Sequence, residues 1–139
     1  MKILLSIFVL ALFHPLSTLA QSDSQPSANI SIIDFVQIQN GNVDETMYYY
    51  QNNWKMLRDQ ALERGFISGY QLLEVEPDKD APFHLMLITT FENQEQFDKV
   101  EDNFRILMEN RGPRNLLNEK QPGDFRKILF SKTTTRQWN

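Results

Sequence analysis

The sequence predicts an α+β fold of order β-α-β-β-α-β, on two observations. Phe83 to Phe91 is an apolar, β-branched run that leads straight into a capped amphipathic stretch. Ile32 to Gly65 carries the same strand-then-helix pattern, and a lone strand-like run follows each helix, so two β-α-β units stand in tandem.

The first element of the fold is preceded by a targeting segment. Lys2 supplies a short positive end, Ile3 to Phe13 is an eleven-residue apolar run, and Ser17 to Ala20 offers small residues where a signal peptidase cuts. The expected signal peptide is Met1 to Ala20, cleaved after Ala20. An uncleaved anchor is the alternative, but eleven residues fall short of the roughly 20 that span a bilayer. Cleavage leaves thirteen basic against eighteen acidic residues, a net charge of −5, with His84 as the one histidine. The chain is then expected to be exported, periplasmic or secreted, with no stable membrane anchor. Gln21 to Asn29 is polar and aperiodic, a tether.

Ile30 to Gln39 is the first strand, with Ile32, Asp34, Val36 and Ile38 on one face and Ile33, Phe35, Gln37 and Gln39 on the other. Asn40-Gly41 signals a turn, and Asn42 with Glu45 forms a capping box. In the first helix Val43, Met47, Tyr50, Trp54, Leu57 and Ala61 fall on one stripe, with Tyr48 and Tyr49 at its flanks, and Gly65 ends it. Phe66 to Val75 is the second strand and Glu76 to Pro82 a polar connection. The third strand, Phe83 to Phe91, sets Phe83, Leu85, Leu87, Thr89 and Phe91 against His84, Met86, Ile88 and Thr90. Asn93 and Gln96 cap the second helix, Phe97, Val100, Phe104 and Leu107 give its buried stripe, and Gly112-Pro113 stops it. Arg114 to Gly123 reads as a loop with room for one helical turn at Asn115 to Leu117. Asp124 to Thr133 is the last strand and Thr134 to Asn139 a loose tail, so the folded domain spans residues 30–133.

This order matches the ferredoxin-like motif, a four-stranded antiparallel sheet with two helices on one face. The other sheet face should then be polar. The third strand is instead apolar on both faces apart from His84 and its threonines, so that face needs a cover. A second copy packed face to face supplies one, as a homodimer. A monomer with the loop Arg114 to Gly123 folded across the sheet is the alternative.

Composition narrows the function. A hydrophobic fraction of 41% over 139 residues suits one globular domain rather than a disordered chain. A net charge of −4 lacks the basic footprint that nucleic acid demands. With no cysteine, disulfides, thiolate nucleophiles and Cys-ligated zinc or iron–sulfur sites are excluded. Catalytic zinc takes about three protein ligands, and one histidine with no cysteine points to no metal site and no resident cofactor.

His84 is the leading single candidate for chemistry, because imidazole titrates near neutral pH; a hydrogen-bonded histidine at a strand start is the bland alternative. Asp34 alternates with apolar residues and, facing a half-buried space, could act as a base; an edge position in water is equally open. Tyr50 and Trp54 read as core. Arg105, Arg111, Arg114, Arg126 and Lys127 lie among Glu101, Asp102, Glu109 and Asp124, a mixed solvated surface rather than an anion groove.

The strand FVQIQNGNVDE, the run from Trp54-Lys55 through Glu63-Arg64-Gly65-Phe66-Ile67-Ser68-Gly69-Tyr70, and the segment LITTFENQEQF carry a resemblance. Over about Ile32 to Ser131 the chain resembles the dimeric α/β-barrel superfamily, in its NIPSNAP-like and antibiotic-biosynthesis-monooxygenase-like branch. The resemblance implies a dimer with a cavity between each sheet and its helices or in the barrel. It spans monooxygenases, haem-degrading and chlorite dismutase-like haem proteins, isomerases and proteins with no known activity. A haem-degrading role of that kind needs a histidine on the second helix, and Gln94 to Asn110 has none. Two functions stay open. One is a homodimeric module that binds a small apolar ligand or simply associates. The other is a cofactor-independent monooxygenase- or isomerase-like enzyme for a small aromatic or polyketide-like substrate, using His84, Asp34 and Tyr70 if these converge on one cavity.

Overall fold

The computed structural model describes residues 29–137. The expected signal peptide, and the tether apart from Asn29, lie outside the described residues. Four strands form one antiparallel sheet: β1 (Ile30–Ile38), β2 (Gly69–Glu74), β3 (Leu85–Phe91) and β4 (Arg126–Thr135). Their order, β2-β3-β1-β4, is the ferredoxin-like order, and the fold is α+β as expected. The first helical layer runs as α1 (Val43–Tyr49), a π turn (Tyr50–Trp54) and α2 (Lys55–Glu63). The second is α3 (Gln94–Asp98) with α4 (Val100–Asn110), and a short α5 (Pro122–Phe125) precedes β4. Among the described residues no helix is long and apolar enough to cross a membrane.

The alternation in β3 divides the sheet as expected. Leu85, Leu87, Thr89 and Phe91 are buried under the helices, opposite Val36, Asp34, Ile32 and Ile30 of β1. Met86, Ile88 and Thr90 share the other face with Phe35, Ile33 and Ser31. Phe83 departs from that pattern. It precedes β3, outside the pleat, and its ring lies 4.8 Å edge-on from Phe35, which stacks at 4.5 Å on Phe130 of β4. These rings sit on the face away from the helices, where Leu73 and Phe130 are exposed.

Local chemistry explains where elements stop. Asn40 and Gly41 both take left-handed φ, 53° and 68°, in the tight turn after β1. At the end of α2, Gly65 also adopts φ 68°. There the Phe66 N–H bonds Ala61 O at 2.8 Å and the Gly65 N–H bonds Leu62 O at 3.0 Å, a Schellman end. Phe66 is thus spent on closing the helix and Ile67 on the core, so β2 begins at Gly69 rather than Phe66. The expected Asn42–Glu45 capping box does not form. Asn42 instead donates to Gln39 O and Asp124 O, while Glu45 turns to Lys120 Nζ at 2.6 Å and Asn118 Nδ2 at 3.0 Å. The second cap holds on one side, with Gln96 N–H on Asn93 Oδ1 at 2.9 Å; the Gln96 side chain accepts from Glu92 N–H instead.

The helical turn expected at Asn115 to Leu117 lies at Pro122–Phe125, where the Asp124 carboxylate accepts from the Gln121 N–H at 2.8 Å. Asp124 and Phe125 therefore leave the last strand. β4 extends instead through Thr134 and Thr135, which pair with Ser31 and Ile30 and belong to the sheet rather than a tail. The loop after α4 packs on the helical layer, not across the open sheet face: Asn115 bonds Asn53, and Leu116 joins the core beneath the π turn.

Candidate functional site

Two one-residue irregularities build a cavity at one end of the helix–sheet interface. The first is the π turn. Its wider winding carries consecutive residues onto the buried side, so Tyr49 and Tyr50, then Asn53 and Trp54, all face inward. Tyr49 is buried at 9% exposure, not placed at a flank, because a regular 3.6-residue turn is broken one residue later. Asn53 is 1% exposed and fully engaged. Its amide donates to Tyr49 O and Asn115 O at 3.0 and 2.7 Å, and its oxygen accepts from the Asn115 N–H at 2.8 Å. This clamp holds the loop that brings Arg111 and Arg114 to the cavity.

The second irregularity is a β-bulge in β4. Phe35 pairs with Phe130 but Val36 pairs with Ile128, leaving Leu129 as the extra residue. Since one residue of slip exchanges faces, the bulge turns Ile128 and Arg126 toward the helices, where an unbroken strand would have sent Leu129 and Lys127. Arg126 thereby lies over the rings of Tyr49 and Tyr50, at 4.9 and 5.5 Å.

The resulting cavity has a volume of about 180 Å³ and opens to solvent. Its apolar walls include Val36, Leu87 and Ile128, and its polar lining holds Asp34 with Arg58, Arg111, Arg114 and Arg126. Arg58 is sandwiched between the rings of Trp54 and Phe104, at 4.7 and 4.6 Å, and its Nε donates to Thr89 Oγ1 at 3.3 Å. Burial pushes its pKa down to about 10, which leaves it cationic at neutral pH. Burial likewise pushes the Tyr50 hydroxyl upward, keeping it a protonated donor. Among the described residues, the ion pairs include none of these four arginines. Buried polar atoms without a hydrogen-bond partner gather here: Tyr50 Oη, Trp54 Nε1, and the Nε atoms of Arg111 and Arg126. Such groups are costly to bury unmatched, by about 1–3 kcal/mol each, and they mark an incomplete hydrogen-bonding site.

The three residues proposed from the sequence do not meet. Asp34 does face the half-buried space, lining the cavity while accepting from Ser131 Oγ at 2.5 Å. Tyr70 stands beyond Trp54, ring centroids 5.5 Å apart and nearly perpendicular, in a separate, more open groove with Met47 and Leu72. Its hydroxyl donates to Asp59, which also takes Lys55 Nζ at 2.8 Å. Lys55 first, then Tyr70, hold the Asp59 carboxyl below its ordinary pKa, and the Asp59 bond raises that of Tyr70. His84 lines neither space. At the end of the sheet its Nδ1 accepts from the Ile38 N–H at 3.2 Å, the hydrogen-bonded strand-start histidine. Among the described residues no group of three or more His, Cys, Asp or Glu side chains could hold a metal.

Sequence reasoning missed the arginines. The half-buried Arg111 and Arg126 and the exposed Arg114 line this cavity, while Arg105 pairs with Asp102 and Glu109 outside it. The available signal was Arg58, four residues after Trp54 and adjacent to Leu57, on the stripe expected to be buried.

No family model and no curated protein matches the chain. Among solved structures it is similar to HapK from Hahella chejuensis, at 11% identity over 76% of this chain and 90% of that one, TM-score 0.49. It is also similar to a dimeric protein of unknown function and ferredoxin-like fold from Bacteroides fragilis, at 7% identity over 81% of this chain and 99% of that one, TM-score 0.48.

Proposed function

We propose that this chain is an exported, homodimeric small-molecule-binding module whose ligand sits between the sheet and the π turn. The observation that carries the reading is the cavity of about 180 Å³ whose lining residues Tyr50, Trp54, Arg111 and Arg126 carry buried polar atoms without partners. A ligand-binding pocket needs apolar walls and a few convergent polar groups, and this one has both. The enzyme-like alternative required His84, Asp34 and Tyr70 to converge, and nothing else in the site favours it. A protein-detected NMR screen with small aromatic fragments, neutral and charged, tests the binding. Shifts are expected at Tyr50, Trp54 and Arg58; fragments that leave all three unmoved would overturn the reading.

The dimer follows from the opposite sheet face, where Phe35, Phe83 and Phe130 form an apolar cluster that the loop after α4 does not cover. Four strands about 4.8 Å apart and about eight residues long offer roughly 500 Å² per copy, so a face-to-face pair buries about 1,000 Å², the lower bound for a specific interface. This association fits the NIPSNAP-like and monooxygenase-like resemblance. Native mass spectrometry should give a dimer, and Phe130→Glu a folded monomer; a monomeric parent chain removes the interface. Recovery of a mature N-terminus at Gln21 from culture medium or periplasm tests export.

A further inference from the structure

We propose that the cavity selects a carboxylate anion carried on a benzene-sized apolar body, an aromatic monocarboxylic acid being the simplest case. The inference rests on the binding reading above and names the ligand class for that site.

Charge sets the sign. Four guanidiniums face one carboxylate, Asp34, in the lining, and among the described residues none of the four has an ion-pair partner. The buried polar atoms without a partner belong to lining residues and can donate: the Trp54 indole N–H, the Nε–H groups of Arg111 and Arg126, and the protonated Tyr50 hydroxyl beside Arg126. Trp54 and Tyr50 are 9% and 3% exposed, so bulk water is a poor substitute for that acceptor.

Geometry favours a planar head group. The guanidinium carbons of Arg58 and Arg126 lie over aromatic rings at 4.6 to 5.5 Å, and the Nε–H of Arg126 has no acceptor. An edge-on guanidinium matches a carboxylate through two parallel bonds. Size and wall chemistry set the rest. A cavity of about 150 Å³ is known to hold benzene, and this one is about 180 Å³. Val36, Leu87 and Ile128 would strand the remaining oxygens of a phosphate or sulfate without donors.

The two tryptophans are Trp54 and Trp138, so in a full chain carrying Trp138→Phe the fluorescence reports on Trp54. Titration at neutral pH with benzoate, its neutral isostere benzamide, and inorganic phosphate reads the selectivity. Benzoate should saturate at a concentration at least tenfold lower than benzamide, and phosphate should give no saturable change. Arg126→Gln should weaken benzoate at least tenfold, leave benzamide unchanged and keep the parent's circular dichroism. Arg111→Gln at the cavity is the second variant should Arg126→Gln not fold. Benzamide binding as tightly as benzoate overturns the anion assignment while leaving the binding module standing. Phosphate binding as tightly as benzoate overturns the apolar body. If none of the three binds, this inference falls, and the fragment screen decides separately on the module itself.

Discussion

The core beneath the helices has two halves that obey different rules. One is built on regular elements: Leu57, Ala61, Ile67, Phe91 and Leu107 close against each other between α2, α4 and the sheet, with Phe97 edge-on to Phe91 at 5.4 Å. The other lies beneath the π turn and beside the β4 bulge, where Tyr49, Tyr50, Trp54, Val36 and Phe125 surround arginines and unmatched donors. An added residue in a helix and one in a strand thus mark the half where buried polar atoms stay without partners. The regular half closes on apolar side chains, whereas the interrupted half also buries polar atoms that have no partner.

That contrast can be broken by substitution. Phe91→Ala in the regular half removes a fully buried ring and should cost about 3–5 kcal/mol in chemical denaturation; a loss below about 1 kcal/mol would mean that half is not the stabilising one. Asn53→Ala should come next, at about 1–3 kcal/mol, since it deprives the Asn115 backbone of both bonds and releases the loop that carries Arg111. Hydrogen exchange should rise at Asn115 in the same variant. Tyr50→Phe is the sharpening case. Deleting a buried hydroxyl that has no partner should leave stability unchanged or raise it by about 1 kcal/mol. A clear loss would show that the hydroxyl is satisfied in the folded protein.

The smallest expected effect concerns pH. Hydrogen bonds from Lys120, then from Asn118, hold the Glu45 carboxyl down to about 2 from its ordinary 4.5. A lowered carboxyl pKa favours the fold above the ordinary value, and that contribution is lost as pH falls from about 4.5 toward about 2. Melting temperatures of the parent chain should therefore drop more across that window than those of Glu45→Gln. Parallel curves would show that the Lys120 bond does not persist in solution.

Much of the scaffold was legible because local rules and the fold agreed. Alternation in β3 assigned its buried face, Asn40-Gly41 announced a turn, and Gly65 marked a helix end that its left-handed φ explains. For Asp34 the alternation left a half-buried position and an edge in water both open, and its side chain lines the cavity. The Asn42–Glu45 cap failed because Lys120 and Asn118, more than seventy residues away, compete for the same carboxylate. Tyr49 was misplaced because a helical wheel assumes one period throughout. His84 drew attention by its chemistry, yet a backbone amide already occupies its Nδ1.

By itself, then, the sequence determined the order of elements, the sheet faces, the absence of thiol chemistry and the apolar surplus on the open face. These follow from residue type and short-range periodicity, which act within one element. Tertiary structure alone decided the cavity. Arg58, the pair Arg111 and Arg114, and Arg126 come from three separate segments, and Arg126 reaches the inside because β4 slips one residue against β1. A bulge is a property of two strands in register, and a π turn here is fixed by what packs beneath it. Neither is encoded in the pattern of a single element.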